Sequence, residues 1–122
     1  MGVDLASAHG GNAGMNWYAW TYIMKLGFCH GWRPCGSRCP DDYPDDYHDE
    51  VDWDGHYTSN NGQRVTAEDA DALAAALERA LACDHEACGH DDTRDAATRD
   101  PAGREWLGGL IAFFRKGEFA IY

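Results

Sequence analysis

The chain has 122 residues, 21 acidic and 10 basic side chains, and a formal charge of −11. That length fits one domain with one core, and the negative field disfavours nucleic-acid phosphate and anionic lipid as direct partners while attracting a basic protein. No apolar run reaches membrane-spanning length, the first residues lack the basic and apolar regions of a signal peptide, and five cysteines form an odd set that suits reduced thiols or metal ligands, so a cytoplasmic protein is expected.

Residues 1–12 are small and glycine-rich and are expected to be flexible, leaving 13–122 as a single α+β domain. The pattern predicts a helix from about Ala13 to Cys29, capped by Asn12, with Trp17, Trp20, Met24 and Phe28 on one stripe and Ile23 beside it. Gly31 can end that helix in the left-handed conformation, and Trp32-Arg33-Pro34 must then run extended. Residues 36–52 read as an acidic loop containing the near-duplicate PDDYPDDY. Between Trp53 and Val65 the aromatic and β-branched residues flank Asn60-Asn61-Gly62, which predicts a β-hairpin.

After Val65 the period changes to that of a helix. Thr66 can cap it by accepting from the Asp69 amide. Glu68 and Asp69 put negative charge in its first turn. Ala70, Leu73, Ala74, Leu77 and Leu81 form its apolar face. Residues 82–99 read as a second polar connection, rich in Cys and His. The last helix begins with Asp100 as cap and Pro101 in its first turn. Trp106, Leu110, Phe113 and Phe114 are expected to face inward, with Leu107 and Ile111 beside them, and Gly117 stops the helix. Residues 118–122 alternate as a terminal strand. The expected fold is three helices packed on a small antiparallel sheet, built from the 53–65 hairpin and that strand.

Three groups of residues are candidates for chemistry. The first is acidic: Asp41, Asp42, Asp45, Asp46, Asp49, Glu50, Asp52 and Asp54, with no Lys or Arg among them and with Tyr43, Tyr47 and Tyr57 interleaved. Charges this dense repel one another unless a cation or basic partner compensates them, and tyrosines suit interfaces. Glu50, Asp52, Asp54 and Gly55 have the spacing of a calcium loop, but its twelfth position is Asn61, so the match fails. The second is Cys83, His85, Cys88 and His90, four N or S donors within eight residues, which Cys35 and Cys39 could join in a zinc site. The third is an aromatic pocket lined by Trp17, Trp32, Trp53 and Tyr57, with Arg33, Asn61 and Gln63 at its polar ends. No nucleophile elbow, phosphate loop or dinucleotide fingerprint occurs, and Cys29 and His30 are poorly placed for a dyad on a helix. A non-enzymatic domain is therefore expected.

Gly31-Trp32-Arg33-Pro34-Cys35-Gly36, Trp53-Asp54-Gly55-His56-Tyr57, Asn61-Gly62-Gln63-Arg64-Val65, Asp69-Ala70 with Leu73-Ala74-Ala75-Ala76-Leu77, and Phe113 to Ile121 occur in that order. Together they resemble a family of small bacterial proteins that share GWxPxG, WxGxY, NxGQxV, DAxxLAxAL and FxxFxxxGxFxI motifs. The resemblance covers roughly residues 15–122. It implies a standalone cytosolic domain and no particular activity, cofactor or ligand. The acidic loop and the Cys/His segment depart from the shared pattern. The leading expectation is an acidic interaction domain, of immunity or antitoxin type, that binds a basic protein. A small-molecule-binding module and a zinc-stabilised domain are the alternatives.

Overall fold

The computed structural model describes residues 2–38, 56–58, 62–82 and 100–122. In chain order the elements are β1 (Gly2–Ser7), β2 (Asn12–Asn16), α1 (Trp17–Cys29), β3 (Gln63–Val65), α2 (Ala67–Ala82), α3 (Pro101–Phe114) and β4 (Phe119–Ile121). The strands form one antiparallel sheet in the order β2-β1-β4-β3. Three helices on an antiparallel sheet is the expected α+β class, reached by a different set of strands.

The N-terminal residues are the main departure. Residues 1–12 were expected to be flexible, yet Gly2–Ser7 is an inner strand paired to β2 on one side and β4 on the other. Val3 and Leu5 have no exposed surface, and they alternate with the outward Gly2 and Asp4, the period of a half-buried strand. Gly10 and Gly11 turn the chain at φ of 97° and 94°, a region open to glycine. Residues 12–16, expected partly as cap and helix, are β2, so α1 begins at Trp17 and its cap is Asn16, whose side chain accepts from the Ala19 amide at 2.7 Å.

The predicted 53–65 hairpin is also revised. Its second arm exists as β3, but among the described residues β3 pairs with β4, and its other edge is met by a bridge from Arg38. Tyr57 is not in a strand, and Trp53 to Gly55 lie outside the described residues. The terminal strand is where the pattern put it along the chain, at Phe119–Ile121, and it lies between β1 and β3.

The core lies between the sheet and the helices. Trp20 of α1, Phe114 of α3 and Phe119 of β4 meet there, with ring centroids 5.2–6.5 Å apart. Leu73, Ala74, Ala76, Leu77 and Ala80 bury one side of α2. Thr66 Oγ1 accepts from the Asp69 amide at 3.2 Å, as its position predicts. Gly31, at φ 99°, ends α1, and the Trp32 amide returns to the Gly27 carbonyl at 2.8 Å. Three expectations of detail change. Asp100 sits at the cap of α3 without a side-chain capping bond. Trp106 and Phe28, expected inward, are 36% and 48% exposed. Each stands at the margin of an apolar stripe whose centre is filled by Leu107 and Leu110 in α3 and by Ile23 and Leu26 in α1.

Candidate functional site

Two stretches flank the acidic segment in sequence, residues 32–38 before it and 56–58 after it, and both are bound to the start of α2. The anchor is Asp69, in the first turn of that helix and with no exposed surface. Trp32 donates its indole Nε1–H to Asp69 Oδ1 at 2.9 Å. Tyr57 donates its phenol to Asp69 Oδ2. The same phenol oxygen accepts from the Gly36 amide at 2.9 Å. The Trp32 and Tyr57 rings meet edge to face at 5.6 Å, and Phe28 lies on the other contact of Trp32 at 5.3 Å. Trp20 adds an indole bond to the Tyr57 carbonyl at 2.9 Å.

Further bonds tie the two stretches to each other and to the sheet. Ser37 Oγ donates to the His56 carbonyl. The Arg38 amide donates to the Arg64 carbonyl at 2.7 Å, and the Arg64 amide returns to the Arg38 carbonyl at 3.1 Å. Arg38 and His56 are thus held on one side of the domain, although 17 residues separate them.

Burying a carboxyl group is costly unless donors meet its oxygens. Here each oxygen has one, and the amino end of α2 adds its favourable dipole. Burial, and next the bond to Asp69, push the Tyr57 phenol well above the usual tyrosine range. It therefore remains a proton donor to Asp69 throughout the neutral range. The cluster is closed: its donors and acceptors are used on one another. Its chemistry is that of a clasp.

The expected aromatic pocket is not formed by its described members. Trp32 and Gln63 are buried in filled core, at 1% and 0% exposure, and Tyr57 is buried beside them. Trp17 is half-buried at the start of α1. Arg33 is exposed and donates to the Phe28 and Trp32 carbonyls at 3.3 and 2.9 Å. Trp53 and Asn61 lie outside the described residues. A concave surface of about 230 Å³ lies instead among Ala6, Ser7, Arg64, Glu118 and Tyr122.

Of the candidate zinc ligands, Cys35 is exposed. Cys39, Cys83, His85, Cys88 and His90 lie outside the described residues. Among the described residues no three His, Cys, Asp or Glu side chains gather as a metal site. Of the acidic candidates only Tyr57 is described, and Asp41 to Asp54 lie outside. Asp69 is the residue that sequence reasoning undervalued. It reads as a charge placed for the helix dipole, but it lies four residues before Leu73 on the apolar side of α2. An acid on an apolar stripe is the signal that could have found it.

Models of known protein families, curated proteins and solved structures yield no match to this chain. No helix among the described residues is long and apolar enough to cross a membrane.

Proposed function

We propose that this chain is a non-enzymatic, acidic protein-interaction domain that binds a basic protein through the residues from Asp41 to Tyr57. The observation that carries the reading is the clasp. It fastens both flanks of the segment holding eight acids to one side of a packed domain. Pinning the flanks lowers the conformational entropy that a partner would have to remove on binding. The charge supplies the second half of the argument. Acids without neighbouring bases attract a cationic surface, accelerate encounter and make association sensitive to salt. An inhibitor of immunity or antitoxin type is the most concrete form of this activity, because such a protein would work by covering a basic functional surface.

The clasp also gives physical content to the resemblance noted above. Trp32 and Gly36, Tyr57, and Asp69 come from three of its motifs and meet in one cluster. We propose on this ground that the chain is related to those small bacterial proteins, with the acidic segment and the Cys/His segment as its departures from them.

The test is binding of a panel of purified basic proteins, with polylysine as the control for charge alone. The expected result is a panel member bound more tightly than polylysine, with affinity that falls as salt rises. Reversing Asp45, Asp46 and Asp49 to Lys should then weaken that binding by about tenfold or more. Affinity unchanged by the triple reversal would overturn the reading.

A further inference from the structure

The carboxyl end of α1 gathers positive charge in a chain whose net charge is −11. Carbonyl groups fix two guanidinium groups there. Arg33 Nη1 donates to the Phe28 carbonyl at 3.3 Å and to the Trp32 carbonyl at 2.9 Å. Arg79, arriving from α2, donates its Nε–H to the His30 carbonyl at 2.8 Å. Lys25 stands one turn before the end of α1. All three side chains are exposed, and among the described residues none of them pairs with an acid. The sequence around them is depleted in the same sense: Leu5 to Pro40 holds none of the 21 acids of the chain.

Capping accounts for only part of this arrangement. The carboxyl end of a helix carries about half a negative charge, and three cations exceed that several-fold. A guanidinium also has more N–H donors than these carbonyl bonds use. The bonds hold each fork in place, so less rotamer freedom is lost when the remaining donors meet a ligand. Phe28 supplies an apolar contact at the same place. It follows Lys25 by three residues, its carbonyl holds Arg33, and its ring, resting on Trp32 at 5.3 Å, is part of a side chain left 48% exposed. We propose that this end of α1 docks an acidic peptide segment of a partner protein, one that sets carboxylates beside an aromatic or aliphatic side chain. The carboxylates pair with Arg33, Arg79 and Lys25, and the apolar side chain covers Phe28. A nucleic acid or an anionic membrane would bring its charge against the whole acidic chain, whereas a short peptide brings few charges to this one place. The site is separate from the segment between Asp41 and Tyr57 and does not depend on it.

The test is fluorescence anisotropy of a labelled peptide with glutamates on both sides of a phenylalanine, titrated with the full chain at about 0.15 M salt. Binding is expected with a dissociation constant on the order of 10–100 µM, as suits a small contact. Peptides with glutamine for glutamate, or serine for phenylalanine, should each bind at least about fivefold more weakly. Lys25→Glu with Arg79→Gln should weaken binding by about tenfold or more. Lys25→Glu alone disturbs no ion pair, so it should keep the wild-type melting temperature and still lower affinity several-fold. Absence of binding, equal binding of the glutamine peptide, or affinity unchanged in Lys25→Glu would overturn the proposal. Complete displacement of the peptide by millimolar inorganic phosphate would overturn it by assigning the site to phosphate groups. A mass above 13.5 kDa that the added peptide reverses would overturn it by assigning the site to a second copy of the chain.

Discussion

Asp69 shows how one polar residue can organise an apolar neighbourhood. It is fully buried, and its two oxygens receive the Trp32 indole and the Tyr57 phenol. Replacing it by Ala leaves both donors buried without an acceptor, and each unsatisfied group costs about 1–3 kcal/mol. Asp69→Ala should therefore lower the unfolding free energy by about 2–5 kcal/mol, read from urea denaturation followed by tryptophan fluorescence. A loss below about 1 kcal/mol would mean that the clasp bonds contribute little beyond those the groups make to water. Tyr57 gives the same cluster a pH signature. Its phenol titrates above the ordinary value of about 10 in the folded chain and near that value when unfolded. Below about pH 10 both states keep the proton, and the stabilisation is fully present. Above it the unfolded chain binds fewer protons than the folded one, so stability falls as pH rises. Tyr57→Phe should flatten that alkaline fall while lowering stability at neutral pH. An unchanged alkaline slope in the variant would assign the effect to other groups.

Helices α1 and α2 approach at Gly27, and this contact belongs to the element scale. A Cβ there would lie 2.7 Å from Leu73 Cδ1 and 3.1 Å from Trp32 Cε3. Both neighbours are buried at 1% exposure, so neither can swing aside into solvent. Gly27→Ala gains up to about 1 kcal/mol of helix propensity, but overpacking of this kind costs about 1–3 kcal/mol. A net loss is expected, with a lower denaturation midpoint and a disturbed Trp32 environment in near-ultraviolet circular dichroism. An equal or higher midpoint would mean that the helices separate without strain. The elements differ in how far their own residues announce them. Helix α2 is legible throughout: Thr66 caps it, and Ala70, Leu73, Ala74 and Leu77 keep the 3.6-residue period to the core. The start of α1 is not: the sequence points to Asn12 as the cap, and only the pairing of residues 12–16 with β1 moves the cap to Asn16. The clasp is illegible for a different reason. Trp32 and Asp69 are 37 residues apart, and no local period links an indole to an acid across that distance.

At the scale of the molecule, the sheet is assembled from the two ends of the chain. Strand β4, residues 119–121, lies between β1 from the amino end and β3 from the middle. Local patterning names β3 and β4 but understates β1, because its small residues read as a frayed end. The alternation of Val3 and Leu5 and the Gly10-Gly11 turn were the available signs. What they could not show is that a partner strand waited more than 100 residues away, with Leu5 opposite Ile121 and Ala6 opposite Ala120. The Asp4 and Tyr122 backbones extend that ladder by exchanging bonds of 2.8 and 2.7 Å. The placement has a consequence for stability. Val3 and Leu5 are both fully buried, and burying an aliphatic side chain of this size stabilises by about 1.5–3 kcal/mol. Removing residues 2–7 also strips β2 of its strand partner and exposes one edge of β4. A domain of this length has about 5–15 kcal/mol of net stability, and the combined loss consumes most of it. The chain truncated before Ala8 should therefore lack a cooperative thermal transition and bind a hydrophobic dye, whereas removal of Met1 alone should not. A cooperative transition retained by the truncated chain would mean that β4 and β3, covered by the three helices, suffice as a core.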